Sequence, residues 1–177
     1  MDRVHVASFE SPYGRLWGLR TPQGLATLLL PRSNRARLDL GPSQLVAWRD
    51  RYLPGWQIYE SKNQFRDLQR WLRDYFAGRE PREEIPLDLY GTPFQLAVWK
   101  ILQGIPYGTT TTYGAISRKL RRSASSSRAV GTAVGSNPIG IVVPCHRVIG
   151  HDEKLVGFGG GLRMKQDLLR REGVLLL

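Results

Sequence analysis

The sequence predicts an α/β protein of two domains. Three observations predict it: short apolar runs alternating with turns over residues 1–30, helical periodicity from residue 63 onwards, and a polar, proline-bearing stretch at 78–86 between two structured halves. The first domain takes residues 1–88 and the second residues 89–177. In the first, Val4 to Phe9, Leu16 to Leu19 and Leu25 to Leu30 are separated by Pro12-Tyr13-Gly14 and Pro22-Gln23-Gly24, the pattern of an antiparallel meander. Phe65, Leu68, Leu72, Tyr75 and Phe76 recur at helical spacing, with Asn63 as the expected N-cap and Gly78 as the stop.

The second domain opens on Thr92-Pro93-Phe94-Gln95. A threonine N-cap, proline at the first helical position and glutamine three residues after the cap make a capping box. Phe94, Ala97, Val98, Ile101 and Leu102 give that helix an apolar face, and Gly104 with Pro106 ends it. Tyr113 to Leu120 reads as a second helix, and the serines of 123–127 turn the chain and cap a third, running from about Ser126 to Gly135. Ile141-Val142-Val143, stopping at Pro144, predicts a strand, with a strand-turn-strand spanning about 141–158. Two short helices followed by that unit outline a winged helix-turn-helix, although such helix pairs are also ordinary core pieces.

Composition narrows the function. With 41% hydrophobic residues in 177, the chain can bury a proper core. No apolar run approaches the roughly 18 to 20 residues that span a bilayer, and Met1-Asp2-Arg3-Val4 lacks a signal-peptide core, so a cytoplasmic, non-membrane protein is expected. One cysteine forms no internal disulfide, and the three histidines do not cluster at zinc spacing. Residues 93–177 carry 12 basic against 4 acidic side chains, +8 of the formal +11, which suits either a polyanionic partner or a solvated basic surface. Arg118, Lys119, Arg121, Arg122 and Arg128 crowd the segment of the two short helices.

That lone cysteine sits in Pro144-Cys145-His146-Arg147-Val148. The thiolate is the nucleophile and a free thiol is mostly protonated at neutral pH, so an adjacent base such as His146 has an evident task. A small buried hydrophobe is the competing reading. In the third helix Ala129, Gly131, Ala133 and Gly135 are small, and glycine costs helix stability, so either a neighbouring helix or a ligand approaches closely.

Pro144 to Val148 resembles the acceptor motif of the O6-alkylguanine-DNA alkyltransferases. Arg128-Ala129-Val130-Gly131, Gly135-Ser136-Asn137-Pro138 and Glu172-Gly173 also resemble family blocks, together covering most of Gly91 to Gly173. The resemblance implies a ribonuclease-H-like N-terminal domain, a winged helix-turn-helix C-terminal domain, and direct reversal of DNA alkylation, with the alkyl group of O6-alkylguanine (or O4-alkylthymine) moved irreversibly to Cys145. It implies catalytic roles for Cys145, His146, Glu172, Tyr113 and Asn137. Glu172 would orient His146, which takes the Cys145 proton through a water; the alternative is a surface carboxylate beside Arg170 or Arg171. Tyr113 would help rotate the nucleotide and deliver a proton to the purine, and Asn137 would tie the recognition helix to the cysteine segment.

By the same resemblance the partner is double-stranded DNA containing the lesion, met in the minor groove by Arg128, Ala129, Gly131, Thr132, Gly135, Ser136, Arg118 and Arg122, with Arg128 replacing an extruded base. Val148, Gly157, Phe158, Gly159 and Gly160 would form the substrate pocket. Phe158 and Gly159 stand where relatives often carry tyrosine and a small polar residue or alanine. No cofactor or metal is implied, and nothing demands a second subunit, so a monomer is expected. Two rival functions share these residues: a non-catalytic sensor of alkylated DNA, and a cysteine hydrolase built on Cys145 and His146.

Overall fold

A computed structural model describes residues 2–31, 41–120, 127–152 and 154–174. The chain forms two compact units, Met1–Tyr90 and Gly91–Leu177, and is a mixed α/β protein. Among the described residues no helix is long and apolar enough to cross a membrane.

In the first unit β1 (Arg3–Ser11), β2 (Gly14–Arg20) and β3 (Leu25–Leu29) form the meander that the turn residues predict. Gly14 takes a φ of 112°, which the tight β1–β2 turn requires, and the Tyr13 backbone N–H donates to Ser11 Oγ at 3.2 Å. A Cβ on Gly24 would lie 2.5 Å from the carbonyl oxygen of Pro86, because the returning chain bonds along β3 through Leu25 N–H to Pro86 O at 2.7 Å.

Two elements of this unit carry no clear signal in the sequence. They are α1 (Gly41–Tyr52) and β4 (Gln57–Glu60), which pairs parallel with β1 to give the sheet order β3-β2-β1-β4. Leu45 of α1 packs with Val4, Leu19 and Ala26 on one sheet face, where Gly41 admits the Trp17 indole. Phe65 covers the other face against Phe9, their rings 5.5 Å apart. The expected helix at 63–77 is a 3₁₀ turn (Lys62–Phe65) running into α2 (Arg66–Phe76), which buries Leu68, Leu72 and Tyr75. Asn63 is therefore not its N-cap: it lies inside the 3₁₀ turn, where its side-chain oxygen accepts from Arg66.

In the second unit α3 (Pro93–Gln103) starts at the capping box: Thr92 Oγ1 accepts from Gln95 N–H, and Gln95 Oε1 accepts from Thr92 N–H. Its buried face is Val98, Trp99 and Leu102, and Trp99 Nε1 donates to Ala133 O at 2.8 Å. That bond fixes α5 (Ser127–Gly135) against α3, with α4 (Tyr113–Lys119) packed on both. The turn expected from the serines of 123–127 lies, but for Ser127, outside the described residues, as do Arg121 and Arg122.

The strand expected over 141–143 does not form. Ile141 has a φ of 71°, a left-handed conformation that a β-branched residue adopts only under strain, so the extended path breaks there. Cys145 N–H then bonds to Val143 O at 2.8 Å across Pro144 (φ −80°, ψ 62°), an inverse γ-turn. Nor does a strand-turn-strand follow. Among the described residues only β6 (Val148–Ile149) is extended, pairing parallel with β5 (Thr111–Thr112), and the loop beyond closes through Gly150 N–H to Lys154 O. The last helix among the described residues is α6 (Leu162–Arg171), which turns Met164, Lys165, Leu168 and Leu169 inward.

Candidate functional site

Cys145 begins a 3₁₀ turn (Cys145–Arg147) rather than ending a strand. Its position is fixed by Asn137, whose Nδ2 donates to Val143 O at 2.8 Å while its Oδ1 accepts from Ile139 N–H at 3.1 Å. Asn137 sits just past α5, so one amide side chain couples the end of that helix to the cysteine segment. These bonds also occupy backbone groups that a strand ladder would have taken.

Cys145 is 8% exposed. Burial pushes its thiol above the ordinary value, while a hydrogen bond from Asn137, the charge of Lys165 and the backbone N–H groups of Cys145 and His146 favour the thiolate. The resting group is a thiol whose anion has donors already aimed at it. That arrangement needs a base and tolerates a brief negative charge.

The base has an elaborate setting. His146 is fully buried, and its Nε2 lies 2.6 Å from Glu172 Oε1. Glu172 caps the C-terminal end of α6, which brings its carboxylate back to the cysteine turn. Burial alone would push that carboxyl up, but hydrogen bonds from His146 and Arg147 outweigh it and hold the group at about 2. An ionised Glu172 takes the Nε2 proton in a hydrogen bond, leaving Nδ1 to serve as the base. Burial lowers the affinity of His146 for a second proton, and the charges of Arg147 and Lys165 act in the same direction.

Sequence reasoning did not single out Arg147, and it offered Glu172 the wrong alternative partners. Arg147, not Arg170 or Arg171, forms the ion pair: Nε donates to Glu172 Oε2 at 2.8 Å and a terminal nitrogen to Oε1 at 3.1 Å. Arg171 instead pairs with Asp167 one turn back on α6. The fourth donor on the carboxylate is Gly108 N–H, from a turn that Gly108 closes at a φ of 72°.

Lys165 was missed as well. It is fully buried, and its Nζ donates to Val148 O at 2.6 Å and Val156 O at 2.7 Å, joining β6 to the loop ahead of α6. Burial lowers its pKa to about 8, against the opposing pull of Cys145. One signal could have found it. A lysine at position 165 falls on the inward stripe of Met164, Leu168 and Leu169, where a charged head must find carbonyl partners.

The expected pocket residues lie along this loop. Val148 is fully buried and meets Lys165 through its carbonyl. The Phe158 ring stands edge-on to His146, centroids 6.3 Å apart. Gly157 has a φ of 40°, Gly159 faces open space, and a Cβ on Gly160 would strike Met164 Sδ at 2.3 Å. Tyr113 starts α4 and its hydroxyl donates to Val156 O at 3.4 Å. Burial and the charge of Cys145 both raise its pKa.

On α5, Val130, Ala133 and Val134 face inward while Arg128, Ala129 and Thr132 are exposed, with Gly135 and Ser136 at its end. A Cβ on Gly131 would lie at ordinary contact distance from the Tyr113 ring, and nothing lies within 4 Å of a Cβ on Gly135. Intramolecular packing therefore does not explain why Gly135 is small. Thr132 Oγ1 donates to Arg128 O, and Ser136 Oγ donates to Ala133 O while accepting from Gln95 Nε2. Arg118 is exposed in the last turn of α4, and Arg122 lies outside the described residues.

Comparison with known proteins gives a consistent answer. The profile of the 6-O-methylguanine DNA methyltransferase, DNA binding domain, matches residues 93–174. A methylated-DNA–protein-cysteine methyltransferase of Methanosarcina acetivorans is 47% identical over 170 residues, covering 96% of this chain and 99% of the relative. The crystal structure of the Mycobacterium tuberculosis O6-methylguanine methyltransferase superposes with a TM-score of 0.75 at 38% identity, covering 96% of this chain and 92% of that one. A structure of the M. tuberculosis protein in complex with DNA superposes with a TM-score of 0.72 at 36% identity, covering 95% and 92%.

Proposed function

The chain belongs to the methylated-DNA–protein-cysteine methyltransferase family, and from that premise we propose that Cys145 is the acceptor in direct reversal of DNA alkylation, taking the alkyl group of O6-alkylguanine in duplex DNA once and irreversibly. The observation that carries the residue assignment is the buried Cys145-His146-Glu172 arrangement, with His146 Nε2 at 2.6 Å from the carboxylate.

His146 accepts the thiol proton through a water, and the sulfur attacks the alkyl carbon from behind the bond to O6. As the carbon–sulfur bond forms, the carbon–oxygen bond breaks and its electrons pass to the purine, which leaves as guanine after Tyr113 assists its protonation. A thioether does not hydrolyse under mild conditions, so the protein is consumed. A cytosolic setting would keep the thiol reduced until then.

An alkyl group on O6 lies inside the stacked duplex, out of line for attack, so the nucleotide must be extruded. The small residues along α5 and at its end (Ala129, Gly131, Thr132, Gly135 and Ser136) suit close approach to the minor groove, with Arg118 of α4 adding positive charge and Arg128 filling the gap in the base stack. Helices α4 and α5 then act as the helix-turn-helix, with the loop after β6 in place of a hairpin wing. The pocket is the loop Gly157, Phe158, Gly159 and Gly160 beside Val148. In the first unit, three antiparallel strands followed by β4 parallel to β1 support a ribonuclease-H-like domain.

The test is an intact mass after incubation with a duplex containing O6-methylguanine. The expected result is a gain of one methylene, localised to Cys145, with guanine restored in the DNA. Tight binding with unaltered mass would show a sensor, and repeated turnover on esters or amides a hydrolase. A second expectation concerns Arg128→Ala: transfer from duplex DNA slows about tenfold more than transfer from free O6-methylguanine, equivalent to about 1.4 kcal/mol of lost support for the extruded state. Equal losses on both substrates would remove Arg128 from the base stack.

A further inference from the structure

We infer that Arg147 is a positioning residue for alkyl transfer: by holding the Glu172 carboxylate in a two-point grip and cancelling its charge, it keeps His146 a neutral base instead of an imidazolium. The inference rests on the reading of Cys145 as acceptor.

The geometry is specific to a guanidinium. Its Nε and one terminal nitrogen engage the two oxygens of Glu172, the other terminal nitrogen donates to Ile105 O, and its face lies over the Tyr107 ring at 5.6 Å from the centroid. Tyr107 in turn donates to Arg171 O at 3.2 Å, at the end of α6 beside Glu172. The side chain is 9% exposed and its partner carboxylate 0%, so the pair is screened very little. The planar fork fixes the plane of the carboxylate, and with it the direction from which Oε1 meets His146 Nε2.

The charge matters as much as the plane. A lone buried carboxylate 2.6 Å from His146 would hold a proton on the ring as an ion pair, and a protonated His146 cannot accept one from Cys145. With Arg147 present the Arg147-Glu172 pair is neutral, so a charge on the ring gains little there. Other groups that act on His146 are Lys165 from α6, whose positive charge also opposes imidazolium, and the apolar ring of Phe158, while the Cys145 thiol precedes it on the same turn. Arg147 thus accepts a weaker attraction for the developing imidazolium in return for a base that is available before the substrate arrives.

Two variants and two readouts test this. For the unaltered protein, Arg147→Gln and Arg147→Lys, methyl transfer from O6-methylguanine duplex DNA is followed across about pH 5 to 9, and the His146 ring is titrated by NMR in the absence of DNA. In the Gln variant the half-maximal point of the acid limb and the NMR midpoint both move up by about 1 pH unit or more, the size of one opposite charge removed at close range. The Lys variant keeps both midpoints near those of the unaltered protein but has a lower plateau, since charge survives and the fork does not.

A uniform loss of rate with unmoved midpoints in the Gln variant would overturn the inference, as would a midpoint shift in the Lys variant. Should the Gln variant not fold, the Lys variant alone decides. If the unaltered protein accepts no methyl group the acceptor reading falls, whereas the NMR midpoints still report on Arg147.

Discussion

Cys145→Ser abolishes methyl uptake while leaving lesion-containing DNA bound: no methylene appears on the intact mass, and transfer falls by more than about a thousandfold, equivalent to about 4 kcal/mol of barrier. The loss follows from the nucleophile. A hydroxyl is far less acidic than a thiol, so the same neighbours that make a transient thiolate accessible produce no useful alkoxide, and oxygen is a poorer match than sulfur for an alkyl carbon. The fold survives, because the side chain is small and the Asn137 amide and two backbone N–H groups around Sγ are suited to a hydroxyl. DNA affinity should be retained, since α5 contributes no atom to the substituted group. A methylated protein in this variant, with the methyl group on another residue, would move the acceptor elsewhere.

The chemistry was more legible than the scaffold around it. The capping box of α3 depends on four consecutive residues, Thr92 to Gln95, so local sequence dictates it and the two reciprocal bonds form as expected. The meander is equally local. By contrast α1 opens on Gly41-Pro42 and has little apolar periodicity; it exists because Leu45 completes a core with Val4, Leu19 and Ala26, contacts that lie far away in sequence. The segment 141–143 has the composition of a strand and is not one, since Asn137 claims the Val143 carbonyl and Ile141 turns left-handed. Propensity loses there to one side-chain amide.

The same division runs through the site. Cys145 and His146 are adjacent, and the motif names them. Arg147 stands in the same motif, yet its role depends on a carboxylate 25 residues away, and neither spacing nor composition reveals which basic residue Glu172 will meet. Lys165 was hidden for a related reason. A lysine is ordinarily a surface residue, and only the three-dimensional convergence of Val148 O and Val156 O makes its burial tolerable.

Glu172→Gln has the second large effect, and it falls on stability and rate together. The substitution preserves shape but leaves the buried Arg147 guanidinium without its counter-charge, a loss of about 3–5 kcal/mol. The pH dependence identifies the cause. Glu172 sits at about 2 in the folded protein against an ordinary 4.5, so the folded state binds fewer protons between those values. Its stabilisation is therefore fully present above about 4.5 and is lost as pH falls towards 2, a span worth about 3 kcal/mol. Denaturant titrations should show the unaltered protein well above the variant at pH values over about 4.5, then converging with it below pH 4.5 as the unfolded chain of the unaltered protein binds a proton at this carboxylate that its folded state does not.

His146 adds a limb to both proteins. Its folded pKa is lowered from 6.5 by burial against the pull of Glu172, so both lose stability as pH falls below 6.5, the Gln variant over a wider range, and Glu172 itself is read below pH 4.5. The rate should fall by about a hundredfold to ten-thousandfold at neutral pH, because the Gln amide can donate to Nε2 and so favour the ring tautomer whose proton sits on Nδ1, blocking the base. A stability gap that stays constant between neutral pH and pH 3 would mean that Glu172 is not ionised in the folded protein, and the base assignment of His146 would fall with it.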